Sequence, residues 1–96
     1  MTTKIYEYML AIAKEGSLSK AAEKCYISQP ALSQHIKTLE RKLNCTLFQQ
    51  QNGRMVPTQA GKIFLITAER IVQTEQETNR KLEELLSLRQ SGNKRH

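Results

Sequence analysis

The 96 residues are enough for one small domain and too few for two. With 39% hydrophobic and 5% aromatic residues, the core is thin and largely aliphatic, so a long element beyond it needs a partner. The net charge of +6 suits a polyanion, either nucleic acid or an anionic membrane surface; no apolar run approaches the ~18 residues of a membrane-spanning helix, and no signal-peptide pattern opens the chain.

Apolar residues at Ile5, Tyr8, Met9 and Ile12 have helical spacing and predict a first helix from Lys4 to Glu15, stopped by Gly16. Ser17 is suited to cap a short second helix carrying Leu18, Ala21, Ala22 and Cys25 on one face. Ala21 and Ala22 are small enough for another helix to approach closely there. After an apolar turn at Tyr26 and Ile27, Ser28 is an N-cap and Pro30 falls in the first turn, where its missing N–H costs nothing. The third helix is predicted over Gln29 to Leu43, with Leu32, Ile36, Leu39 and Leu43 as its buried stripe.

Asn52-Gly53, between short apolar runs, predicts a hairpin, because both central residues of a tight hairpin turn must accept positive φ. The return strand is Arg54-Met55-Val56, ended by Pro57, and Thr58 caps a last helix. That helix, taken over residues 59–89, spans about 45 Å at ~1.5 Å per residue. The preceding body measures only ~25–30 Å, so the helix overhangs it. Residues 90–96 read as a flexible tail. Cys25 and Cys45 have no CxxC spacing and read as small core residues in a reducing cytoplasm.

At about 100° per residue, Gln29, Pro30, Ser33, Gln34, Lys37 and Arg41 lie on one side of the third helix, away from its apolar stripe. This face carries amides, a hydroxyl and two cations, and no carboxylate. Gln pairs with adenine N6 and N7, Ser donates or accepts, and a proline ring can touch a thymine methyl. Lys37 and Arg41 fall further along, where phosphates would lie. An ordinary solvated face is the blander alternative; the missing acids, the tight turn before the helix and the net charge favour DNA. His35 projects to the edge of the stripe, as a partly buried residue rather than a DNA contact. Glu40 projects between the two faces and is expected to anchor structure.

Gly16-Ser17-Leu18, Ala21-Ala22, Ser28-Gln29-Pro30-Ala31-Leu32-Ser33, Ile36, Leu39-Glu40, Leu43, Leu47-Phe48 and Thr58-Gln59-Ala60-Gly61 together resemble the LysR-type transcriptional regulators, over residues 1 to about 88. The resemblance implies a mainly α fold: a winged helix-turn-helix DNA-binding domain over residues 1–58, its helix-turn-helix at about 18–37 and its wing at about 46–57. A long linker helix over residues 59–89 then pairs antiparallel in a homodimer. By position, Gln29, Pro30, Ser33 and Gln34 look like the base-reading set, with Ser28, Lys37 and Arg41 on the backbone and Arg54 on the wing, near the adjacent minor groove. The expected ligand is double-stranded DNA with roughly palindromic half-sites, bound in the bacterial cytoplasm. A small-molecule inducer would act only through an effector-sensing domain that this chain lacks, which makes the chain an excised fragment. Gln34 and Gln50 stand where the family often has Arg, and Asn44 where Gly is usual; Asn tolerates positive φ better than most residues.

The expected dimer seam is Phe64, Ala68, Ile71, Leu82 and Leu85, with a polar middle at Glu75 and Thr78. A protein-interaction module acting through this helix is the alternative function. No nucleophile–base–acid set, phosphate loop or metal-ligand cluster is legible, so neither an enzyme nor a cofactor or metal site is expected.

Overall fold

The computed structural model describes residues 4–94, with side chains to residue 89. In chain order it has α1 (Lys4–Glu15), α2 (Leu18–Lys24), α3 (Gln29–Leu43), β1 (Phe48–Gln51), β2 (Arg54–Pro57) and α4 (Gln59–Lys94). α2, α3 and α4 begin for the reason their sequence gives. Ser17 accepts from the Lys20 amide at 3.2 Å, Ser28 from Ala31 at 3.2 Å, and Thr58 from Gly61 at 3.0 Å. Each hydroxyl thereby satisfies an otherwise orphaned first-turn donor. α3 ends at Asn44, whose φ of 58° is the left-handed stop that glycine more often supplies.

The strands pair antiparallel, with Gln51 opposite Arg54 and Phe48 opposite Pro57. Asn52 and Gly53, at φ of 53° and 78°, form the two-residue turn between them. The core is Met9, Ile12, Ala21, Ala22, Leu32, Ile36, Leu47 and Phe48, drawn from all three short helices and the hairpin root. α2 sits between α1 and α3 on its two small alanines, both buried.

The first stretch of α4 packs on α1, where Phe64 stacks on Tyr6 with ring centroids 5.7 Å apart. Ala68 has no exposed surface. Beyond the half-buried Ile71 and Val72, every side chain from Gln73 to Arg89 is exposed. The molecule is accordingly elongated, 62 × 24 × 22 Å.

Besides Arg54 and His35, described below, the structure departs from the sequence reading in five places. Leu43 is 45% exposed, because it lies in the last turn of α3, beyond the helices that cover Leu32 and Ile36. Cys45 is exposed and Cys25 only half-buried, since both fall in the loops that leave α3 and α2. Tyr26, expected in an apolar turn, is 94% exposed at φ 58°. α4 runs on to Lys94, past the end expected at residue 89; residues 95 and 96 of the expected tail lie outside the described residues. Phe64 and Ala68, expected in a seam between subunits, are occupied within the chain by α1 and the adjoining body.

Candidate nucleic-acid interface

α3 projects the face expected to read DNA. Gln29, Pro30, Gln34, Lys37 and Arg41 are all exposed, and Ser33 is half-buried among them. Glu40, the one carboxylate of the helix, is turned inward: its Oε2 accepts from the Leu47 amide at 2.7 Å and the Phe48 amide at 3.4 Å. The carboxylate thereby fixes the wing root to α3, and the exposed residues of the outward face carry two cations and no acid.

Ser33 and Lys37 border a small notch of about 110 Å³, closed by Leu18 of α2 and by Phe48 and Met55 of the hairpin. α2, α3 and the wing thus meet around the middle of the α3 face. Further along, Lys37, Glu40, Arg41, Asn44, Cys45 and Thr46 line an open depression of about 420 Å³. Its two cations outnumber the one carboxylate, whose Oε2 is engaged by the Leu47 amide, and this suits it to the oxygens of a phosphodiester. Arg41 is only loosely held, its guanidinium donating to the Thr38 hydroxyl at 3.4 Å. The Ser28 hydroxyl oxygen caps α3, and its proton remains free to be donated.

Arg54 has a different setting from the one expected. Its guanidinium folds back over Gly16, where a Cβ would collide with it, at the carboxyl end of α1. There the last carbonyls of α1 present partial negative charge. The adjoining Met55 amide donates to the Gly16 carbonyl at 3.0 Å, so the wing is stitched to that helix end. Gly16 itself, at φ 66°, is the left-handed residue that lets α1 stop there. The hairpin tip projects Gln51, Asn52 and Gly53 instead.

His35 is exposed, its ring 5.4 Å from that of Tyr8, on the side of α3 that meets α1 and away from Ser33 and Lys37. Around Cys25, in the cleft between α1 and α2, burial pushes the thiol pKa up; Glu7 adds to the effect and Lys4 opposes it.

Two features lie outside the sequence-based expectations. The Ser19 hydroxyl donates to Gln29 Oε1 at 2.7 Å, a contact created by the crossing of α2 and α3, which no periodicity reports. Ile63 and Ile66 are 70% and 58% exposed. Their signal was available: Ile63-Phe64-Leu65-Ile66 is a four-residue apolar run, and α1 can cover only part of a helix circumference. Leu82, Leu85, Leu86 and Leu88 are also more than half exposed. Among the described residues, no helix is long and apolar enough to cross a membrane.

Residues 4–62 match the family described as bacterial regulatory helix-turn-helix protein, lysR family. A probable RuBisCO transcriptional regulator of Porphyra purpurea is 47% identical over 78 residues, covering 81% of this chain and 25% of that protein. The chain spans about a quarter of the length of the curated relatives it matches. Among solved structures, the BenM DNA-binding domain in complex with catB site 1 DNA superposes with a TM-score of 0.83 at 28% identity, over 91% of this chain and 97% of that one. Vibrio fischeri DarR in complex with DNA gives 0.79 at 31% identity, over 92% of this chain and 30% of that one. With its capped helix pair, its hairpin wing and its long last helix all in this arrangement, the chain belongs to the lysR family of bacterial regulatory helix-turn-helix proteins.

Proposed function

We propose that this chain binds double-stranded DNA sequence-specifically as a homodimer in the bacterial cytoplasm, with α3 in the major groove and the wing beside the adjacent minor groove. The observation that carries the reading is the α3 face: an exposed run of amides, a hydroxyl and two cations whose one neighbouring carboxylate is bonded to the wing backbone. The likeness to domains solved with DNA supports it. Gln29, Pro30, Ser33 and Gln34 read base edges. Ser28, Lys37 and Arg41 hold phosphates, and Arg54 reaches the duplex by swinging off Gly16.

The dimer forms through α4. Ile63, Ile66, Leu85 and Leu88 fall within about 100° of one another around the helix axis, and all four are more than half exposed. An antiparallel pair with its two-fold axis between Glu75 and Gln76 sets Ile63 opposite Leu88 and Ile66 opposite Leu85. This revises the expected seam: Leu85 stays, Leu82 flanks it, and Ile63 and Ile66 replace Phe64 and Ala68. Two reading helices joined in this way can enter major grooves about 34 Å or a multiple apart on a roughly palindromic site.

The test is fluorescence anisotropy with duplexes selected from a random pool. Affinity should fall with salt at a log–log slope of about −0.9 per neutralised phosphate, for roughly four to eight contacts per dimer. Lys37→Ala should weaken all duplexes alike and lower that slope. A salt-insensitive response, or no duplex enriched, would sink the proposal. It would leave the second reading, a protein-interaction module acting through α4, which the exposed leucines of that helix favour.

A further inference from the structure

Ser19 and Gln29 are both exposed, lie on different helices, and are joined by one short hydrogen bond. The bond is not part of a cap: Ser17 caps α2 and Ser28 caps α3. A glutamine side chain at a surface is otherwise free to turn about several bonds, and ordering it for a ligand costs binding energy. Here the Ser19 hydroxyl holds the amide oxygen at 2.7 Å before any ligand arrives.

We propose that Ser19 is a positioning residue for base reading: it holds the Gln29 amide in place at the base edges, where that amide selects adenine over guanine. The inference rests on the reading that Gln29 faces base edges. Its chemistry follows from the asymmetry of the amide, which carries an acceptor oxygen on one side and a donor nitrogen on the other. Half a turn about the last side-chain bond exchanges them. The Ser19 hydroxyl donates to the oxygen and could equally accept from the nitrogen after that turn, so the bond fixes where the amide sits and not its polarity. One lone pair of Oε1 and both Nε2 protons remain for the ligand.

In the major groove adenine presents the acceptor N7 beside the N6 amino donor, whereas guanine presents two acceptors, N7 and O6. An amide placed there complements adenine with Nε2 on N7 and Oε1 on N6. Against guanine either polarity sets Oε1 against an acceptor. By holding the amide where both bonds to adenine form at once, Ser19 sharpens the discrimination between the purines and contributes little to the grip on DNA in general.

The experiment compares the intact dimeric chain with its Ser19→Ala, Ser19→Thr and Gln29→Ala variants. Each is titrated against duplexes that differ only at the base pair where the intact protein shows an adenine preference. Alanine is a strong helix former and Ser19 is exposed, so the variant folds, which circular dichroism checks. Gln29→Ala should abolish the preference at that base pair. Ser19→Ala should reduce the adenine-to-guanine ratio about two- to ten-fold, the range for one unrestrained side chain. It should leave the affinity for random duplex and the salt slope unchanged, and Ser19→Thr, which keeps the hydroxyl, should keep the ratio.

Three results overturn the inference: an unchanged ratio in Ser19→Ala, an equal loss on every duplex as for a lost phosphate contact, or Ser19→Thr behaving as alanine does. If Gln29→Ala alters preference at no base pair, the reading face itself is misassigned, and the inference falls with it by a result distinct from the other three.

Discussion

Glu40 is the residue whose loss should separate the wing from α3. Its Oε2 accepts the Leu47 amide at 2.7 Å and the Phe48 amide at 3.4 Å, and those residues are only 1% and 4% exposed. Water cannot readily replace the carboxylate there, so Glu40→Ala leaves the Leu47 N–H unpaired beside the core. A hydrogen bond to a charged group contributes about 1.5–3 kcal/mol, and the longer second bond adds little. The expected loss is therefore about 2–3 kcal/mol. For a domain of this size each kcal/mol moves the midpoint by about 4–8 °C, which predicts a fall in Tm of roughly 10–20 °C. Glu40→Gln keeps a carbonyl acceptor of the same reach and should recover more than half of that. Thermal unfolding followed by circular dichroism, at one fixed protein concentration, measures both. An alanine variant within about 0.5 kcal/mol of the parent would refute the anchoring role, against the charged-bond range. A glutamine variant as damaged as the alanine one would show that the bond is not what the carboxylate supplies.

A methyl group at Gly61 would run into the Leu47 carbonyl oxygen, which already accepts from the Thr58 amide at 3.0 Å. Gly61→Ala should therefore lower stability by about 1–3 kcal/mol in a urea melt despite alanine's helix propensity; a stabilised variant would contradict the close packing of α4 on the wing root. Leu85→Lys, present in both copies, should raise the dimer dissociation constant at least about ten-fold by sedimentation while α1 to β2 stay folded. An unchanged constant would remove Leu85 from the seam. With a thiol reagent near pH 8, the exposed Cys45 should react before the half-buried Cys25, whose proton is held by burial. Because the folded chain binds that proton more tightly than the unfolded one, its contribution to stability is whole below the ordinary thiol range and is lost as pH rises through it towards the raised value. A urea midpoint that Cys25→Ala leaves with the same alkaline decline as the parent would count against it.

Much of this fold was legible because local chemistry repeats the global answer. Ser17, Ser28 and Thr58 mark the helix starts, Gly16 marks the end of α1, and Asn52-Gly53 fixes the hairpin. The α3 face was legible too, since a helical period sorts Gln29, Pro30, Gln34, Lys37 and Arg41 away from Leu32 and Ile36. The period tells which side of a helix a residue takes, and is silent on how far the neighbouring elements reach. Leu43 overshoots its cover for that reason, and Ala68 falls under cover that a seam would have left open. Contacts made by the angle between helices, such as Ser19 on Gln29, are equally invisible to it. Nor does it show that a long cation such as Arg54 turns back onto the end of α1.

The unsupported length of α4 has a thermodynamic consequence. From Gln73 to Arg89 no side chain is covered by the body, yet the backbone stays helical. Most helix stability in proteins comes from packing of a buried face, and short uncovered helices are marginal in water. In the proposed dimer the outer half of α4 is therefore the segment whose order would depend on a second copy. Helicity should rise with protein concentration, and its amides should lose deuterium protection on dilution long before those of Met9 or Leu32 do. Assembly and the last act of folding would in that dimer be one equilibrium, and the abundance of the protein would set the rigidity of the link between its two α3 helices.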